Sequence, residues 1–230
     1  MSALAFATLN LGRGVGDEPD AVAQNLERLA RDIGYDPEAL YEVHQIHGGV
    51  VEHVDAAVAP DLFRTRQADA LVSGFTGRPV GVKVADCVSV LLADPVSGAV
   101  AAVHAGWRGV VAEVASHAVR ALGEQHGSAA QTLLAAVFPC IGLDAFEVSD
   151  EVAQQLVEAA GSERVVRRQQ PRPHVDLALS VRLQLLRVGL GESHVETVSG
   201  CTFSDPARFF SYRRDNGQTG RHLAVVVPRC

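Results

Sequence analysis

Residues 79–109, PVGVKVADCVSVLLADPVSGAVAAVHAGWRG, decide how the rest of the chain is read. Two apolar runs, Val80 to Ala93 and Ala99 to Ala105, flank Asp94-Pro95-Val96-Ser97-Gly98. Valine-rich runs bounded by Pro, Asp, Ser and Gly predict two strands of a hairpin. A turn centred between Pro95 and Val96 sets Cys87 directly opposite His104. Opposed residues on antiparallel strands share a face with Cβ atoms about 4.5–5.5 Å apart, close enough for a thiolate and an imidazole to share a metal or a proton. The metal use is catalytic-zinc chemistry, with three His/Cys ligands and one position open to water. The metal-free use is a Cys87 thiolate nucleophile served by His104.

Outward from the hairpin, His44 and His47 lie in YEVHQIHGGVVEHV (41–54), an alternating, β-branched segment broken by Gly48-Gly49. On extended backbone the two imidazoles face opposite ways, so one of them is expected to reach a site shared with the hairpin. Gly48 permits a close backbone approach, which favours His47. HAGWRG (104–109) ends the second strand in a glycine-flanked turn where backbone amides and Arg108 can meet an anion. FFSYRRDNGQTGR (209–221) sets Tyr212 beside Arg213: arginine forks suit phosphate or carboxylate, and an aromatic ring suits a planar base. Neither GxxxxGK[ST] nor a strand-preceded GxGxxG is present, so the common nucleotide fingerprints do not apply.

Elsewhere the pattern predicts helices over 17–34 (capped by Asp17 or Asp20, with Val22, Leu26, Leu29 and Ile33 on one face), 109–122, from Ser149 to Gly161, and from Asp176 to Gly189. Strands are expected at 68–75, 132–138, 194–198 and 222–228, and an exposed polar loop at 163–173. No repeat or linker divides the chain. These elements imply one α/β-type (α+β) domain with layered sheets, mixed or largely antiparallel.

Composition narrows the function classes. The 230 residues are 47% hydrophobic, enough for a sizeable core, and no apolar run approaches a membrane span. The net charge is −7, with a single lysine, Lys83, and no basic run, which argues against nucleic acid and anionic membranes as partners. Four cysteines without a CxxC pair make neither a disulfide framework nor a zinc ribbon. The N-terminal residues lack the pattern of a signal peptide, so a cytoplasmic protein is expected.

The motifs NLGRGVGDEP, IHGGVV, ADALVS, ADCVSVLLADP, AVHAGWRG, FPCIG, FEVSDEV, HVDL and CTFSDPARFFSYRRDNGQTGR, in order from Asn10 to Arg221, together resemble the laccase-domain family. Its members are labelled polyphenol oxidase, purine nucleoside phosphorylase or peptidoglycan editing factor. The resemblance implies an α/β/β/α layered fold and a metal site of two His and one Cys, which maps onto His47, Cys87 and His104. It implies zinc, with copper as the older alternative. It also implies phosphorolysis of adenosine, inosine and 5′-methylthioadenosine together with adenosine deamination. The substrates would then be purine nucleosides and inorganic phosphate, with Arg108, Tyr212 and Arg213 as binding residues, acting in a monomer. Asp86 and His44 are candidates for moving protons. An amide hydrolase built on Cys87 and His104, acting on peptidoglycan precursors, is the competing enzyme class. The chain departs from the family pattern at Ser89 (usually Pro), Phe138 (Gly), Phe146 (Tyr), Val181 (Asn) and Leu26 (Arg). Met1-Ser2 is similar to the end of a family segment that precedes LNLG, so the expectation is a chain lacking the family's first strand.

Overall fold

The computed structural model describes residues 2–168 and 171–229. In chain order the elements are α1 (Pro19–Ile33), β1 (Val51–His53), α2 (Pro60–Phe63), β2 (Ala70–Ser73), β3 (Val80–Val84), β4 (Val88–Ala93), β5 (Val100–Ala105), α3 (Trp107–Val111), α4 (Val114–His126), β6 (Leu134–Val137), α5 (Asp150–Ala160), β7 (Val166–Arg167), β8 (His174–Val175), α6 (Leu177–Arg187), β9 (Val195–Thr197) and β10 (His222–Val226).

The apolar run Val80–Ala93 is two strands in two different sheets. β4 lies inside a six-stranded sheet of order β1-β2-β5-β4-β6-β9, whereas β3 pairs antiparallel with β10. The β1–β2 and β6–β9 pairs are parallel and the remaining ladders antiparallel, so the sheets are mixed and largely antiparallel as expected.

Strand alternation separates the cores. Ala70, Val72, Val90, Leu92, Ala101 and Val103 face α4, α5 and α6, meeting Val119, Leu122, Leu156, Val181 and Leu185. The intervening residues Leu71, Leu91, Val100 and Ala102 face the other way, onto Val80, Val82, Ala224 and Val226 of the small sheet. Leu223, on the outer face of β10, meets Leu11, Val22 and Leu26 under α1. Period-two side chains thus glue the sheets together on one face and seat helices on the other. The result is the α/β/β/α order that the resemblance implies. Between the sheets Phe63 is fully buried and meets the Tyr41 ring edge-on at 5.0 Å; burying such a side chain is worth about 1.5–3 kcal/mol.

Several local expectations change. Glu18, not Asp17 or Asp20, is the N-cap of α1, and Gly34 ends the helix at φ +84°. Val22 and Leu26 are buried, and Leu26 is a core residue here. The helix expected over 109–122 is two helices, because Glu113 adopts φ +54° and turns the chain between α3 and α4. Within β6, Leu134 is 46% exposed rather than buried. The polar stretch 163–173 holds a buried Val165 and β7, which pairs antiparallel with β8 just beyond it; residues 169–170 of that stretch lie outside the described residues. Ser149 and Asp176 cap α5 and α6 by accepting the Val152 and Leu179 N–H groups, as their positions predict.

Candidate metal centre and its cavity

The hairpin register differs from the simple count. Ala93 pairs with Val100 and Ser89 with His104, so Cys87 is not opposite His104 and lies before β4 begins. The turn centres further along than Pro95-Val96. Asp94 is the reason: its carbonyl accepts the Gly98 N–H at 2.9 Å and its carboxylate accepts the Val96 N–H at 2.9 Å and the Ser97 hydroxyl at 2.7 Å. Gly98 closes the turn at φ +73°.

Cys87 reaches His104 by another route. Asp86 takes φ +89°, breaking the run between β3 and β4. Three ties hold this corner: the Asp86 carboxylate accepts the Thr202 hydroxyl at 2.6 Å and the Arg213 N–H at 2.7 Å, and the Asp86 carbonyl accepts the Ile141 N–H at 2.9 Å. With both carboxylate oxygens engaged, Asp86 is a fastening for the Cys87 corner and not the mobile proton carrier expected of it. His104 comes from the end of β5 and is 3% exposed. His47 sits in the loop before β1 at φ +60°. One ligand atom from each of His47, Cys87 and His104 lies within 4.8 Å of the others, and the two rings meet edge to face at 4.7 Å. Gly106 keeps this space open: a Cβ there would stand 2.9 Å from the His47 ring and 3.1 Å from the Cys87 sulfur.

Asp69, which no sequence motif singles out, organises the two histidines. Fully buried one residue before β2, it accepts the His47 N–H at 2.9 Å, the Gly48 N–H at 2.6 Å and the His104 Nδ1–H at 2.8 Å. Its own carbonyl accepts the His104 backbone N–H at 2.7 Å. A proton fixed on Nδ1 leaves the His104 Nε2 lone pair for the centre, the usual way a carboxylate behind a histidine sets its tautomer. Burial pushes the Asp69 carboxyl up, but His104 and the Gly48 and His47 amides outweigh it and hold it below the ordinary range. The available signal was a lone charge opening the apolar run ADALVS.

Electrostatics poise the centre. Burial pushes the Cys87 thiol up, yet its hydrogen bonds to His104 and His47 pull it down to about 6. Burial likewise opposes charge on His104, but Asp69 and Cys87 raise it to about 9. Cys140, by contrast, is buried in the main core, and burial pushes its thiol up.

The centre forms part of a cavity of about 690 Å³ that also takes in His44, Lys83, Arg108, Tyr212, Arg213 and Arg221. Arg108 lies over the Trp107 ring at 4.4 Å, Arg213 is 5.4 Å from the Phe146 ring, and Arg221 is 5.5 Å from that of Tyr212. Among the described residues none of these three arginines has a carboxylate partner. A second cationic group was not foreseen: Lys83 Nζ lies 2.7 Å from the buried Glu42, which also pairs with Arg13. Arg214, adjacent to Arg213, is instead wrapped by Asp215 and the Thr202 and Phe209 carbonyls. An apolar patch from Val84, Ile141, Phe146 and Leu177 completes the cavity, giving it the mix of apolar surface and few polar groups typical of small-molecule sites.

The family model described as multi-copper polyphenol oxidoreductase laccase matches residues 1–229. A Deinococcus radiodurans protein named purine nucleoside phosphorylase is 38% identical over 230 residues, covering 100% of this chain and 86% of its own length. Purine nucleoside phosphorylase YlmD of Geobacillus stearothermophilus is 33% identical over 232 residues, 97% of this chain and 85% of that one. The crystal structure of YlmD superposes with a TM-score of 0.92 at 32% identity, covering 100% of this chain and 88% of that chain. The crystal structure of the Bacillus licheniformis hypothetical protein YfiH gives 0.93 at 26% identity, covering 99% and 88%.

Proposed function

The chain belongs to the multi-copper polyphenol oxidoreductase laccase family, and from that premise we propose that it is a zinc-dependent purine nucleoside phosphorylase that also deaminates adenosine. The observation carrying this reading is the convergence of two imidazoles and a thiol in a cavity that also holds three arginines without carboxylate partners among the described residues. The donor set fits zinc: a thiolate-prone sulfur, two ring nitrogens, a carboxylate behind one of them, and a glycine where any side chain would crowd the ligands. Copper accepts the same donors, but a blue-copper centre takes an axial Met, and Met1 is the chain's one methionine.

His47, Cys87 and His104 would hold the zinc, which when bound would supply Lewis-acid chemistry to the cavity. Arg108 and Arg213 hold inorganic phosphate by their guanidinium forks, while Tyr212 and the apolar wall around Phe146 cover the purine. A phosphate oxygen attacks the anomeric carbon, the C–N glycosidic bond breaks, and the purine nitrogen leaves with that electron pair and is protonated. His44, which lines the same cavity, is a candidate for that proton. With water as nucleophile at the amine-bearing carbon, adenosine gives inosine and ammonia. The substrates in view are adenosine, inosine and 5′-methylthioadenosine. We read the protein as a cytoplasmic monomer; the free Cys87, Cys140 and Cys201 agree with a reducing compartment, and among the described residues no helix is long and apolar enough to cross a membrane.

One arrangement favours a second reading. Asp69, His104 and Cys87 line up as orienter, base and thiolate, the order used by cysteine hydrolases, so an amide hydrolase acting on peptidoglycan precursors is the alternative. Product analysis with adenosine, with and without phosphate and with and without a chelator, separates the two. The phosphorylase reading expects adenine and ribose 1-phosphate only with phosphate and metal. No adenine, inosine or ribose phosphate under any condition would defeat it, and amide hydrolysis that survives chelation would favour the alternative.

A further inference from the structure

A second histidine constellation lies away from the catalytic cavity, on the helical side of the sheet. His53 closes β1 and His126 closes α4, and their Nε2 atoms are 3.2 Å apart with ring centroids at 5.1 Å. Both are half-buried, and His53 borders a cleft of about 350 Å³ that also takes in His117, Arg120, Glu124 and Gln125. We propose that His53 and His126 form a second, surface site for a divalent transition-metal ion such as zinc or nickel, independent of the His47, Cys87 and His104 centre.

Geometry is the first support. Two nitrogens bound to one ion at 2.0–2.1 Å stand about 2.9–3.4 Å apart for angles between square and tetrahedral, and the observed separation lies within that range. In both residues the nitrogen nearest the other ring is Nε2. Imidazole is a ligand common to zinc, copper and nickel. The second support is preorganisation. The His126 ring rests directly on the backbone of Gly74, where a Cβ would stand 2.5 Å from its Cε1. His53 is held by β1, and its ring meets Phe75 at 6.4 Å. Both rings are thus held in place, and binding an ion requires only that the proton shared between the two Nε2 atoms move to a ring Nδ1 or to solvent.

The charged groups facing the cleft set its character. Arg120 is turned toward Glu113 at 3.7 Å, while Glu124 lines the cleft with a carboxylate. His117 is engaged with the Gly49 carbonyl at 2.8 Å, which leaves the ion two protein ligands, completed by water. Because His53 closes β1 and His126 closes α4, an ion there would tie sheet to helix.

The test uses untagged full-length protein carrying Cys87→Ser, which disables the central site, titrated with zinc chloride or nickel chloride by calorimetry. One binding event should remain in Cys87→Ser. It should weaken at least tenfold when His126→Gln or His53→Gln is added, and also when Gly74→Ala displaces the His126 ring while keeping both histidines in the chain. Metal-free melting curves of each variant establish that it is folded. Equal binding by Cys87→Ser and by the variant lacking His126, or no binding by either, would overturn the site and mean that the two rings share only a hydrogen bond.

Discussion

One buried carboxylate, that of Asp69, fixes the His104 tautomer and clamps the loop bearing His47. Replacing it with Asn keeps the shape but removes the charge that orients the imidazole. Losses of this kind cost about 10–100-fold in metal affinity, so chelator competition on Asp69→Asn should read a zinc affinity lower by that factor; an unchanged affinity would deny Asp69 this role. The Cys87 and His104 pair makes a pH prediction. The Cys87 value lies below its ordinary 9.0, so its thiolate stabilises the folded chain fully above 9.0 and loses that effect as pH falls through about 6. His104 has the opposite sign. Raised from 6.5, its charged form stabilises fully below 6.5 and ceases to do so as pH rises through about 9. In metal-free protein the pair is therefore charged between about 6 and 9, and iodoacetamide labelling of the Cys87 peptide should show its midpoint near pH 6. A midpoint near the ordinary thiol value would contradict the hydrogen-bonded thiolate. Cysteine and histidine were visible to a sequence reading because few bland roles compete for them in such a neighbourhood. Asp69 was not, because a lone aspartate at a strand edge is commonplace.

Among elements, the hairpin shows what a pattern of apolar residues conveys and what it hides. Valine runs specify strands, but Val80–Ala93 reads as one because both pieces are buried and the break at Asp86 costs only a single left-handed residue. Hairpin register depends on turn hydrogen bonds, here those of Asp94, and no apolar pattern encodes them. The helix split at Glu113 is hidden for the same reason, while the Ser149 and Asp176 caps were legible because capping is a local, side-chain-specific act. The turn also makes a stability prediction. Gly98 combines φ +73° with a space in which a Cβ would stand 2.8 Å from the Arg229 carbonyl oxygen. Gly98→Ala should therefore destabilise the protein by about 1–3 kcal/mol, read as a lower Tm; an unchanged Tm would contradict this turn geometry.

At the scale of the molecule, the two sheets divide the labour. The six-stranded sheet and its neighbouring loops supply His47, His104 and Asp69, while the small sheet and the segment before β10 supply Lys83, Tyr212, Arg213 and Arg221. The break at Asp86 joins them, because the chain crosses from one sheet to the other there and leaves Cys87 at the crossing. That explains why a cavity containing both a metal-ligating set and a cluster of cations forms in this place. Layering was legible from mixed strand and helix patterns together with the family resemblance. The cationic group around Glu42 was not, because Arg13, Glu42 and Lys83 are far apart in sequence and meet only in the fold. In the proposed function, nucleoside chemistry in this cavity depends on an ion bound by His47, Cys87 and His104. The most direct test strips the protein of metal and titrates zinc back while following ribose 1-phosphate formation from inosine and inorganic phosphate. Stripped protein should give no product, and the rate should rise with zinc to a plateau near one equivalent, a response absent in Cys87→Ser. Full activity in the stripped protein, or a Cys87→Ser variant that turns over like the parent, would contradict it.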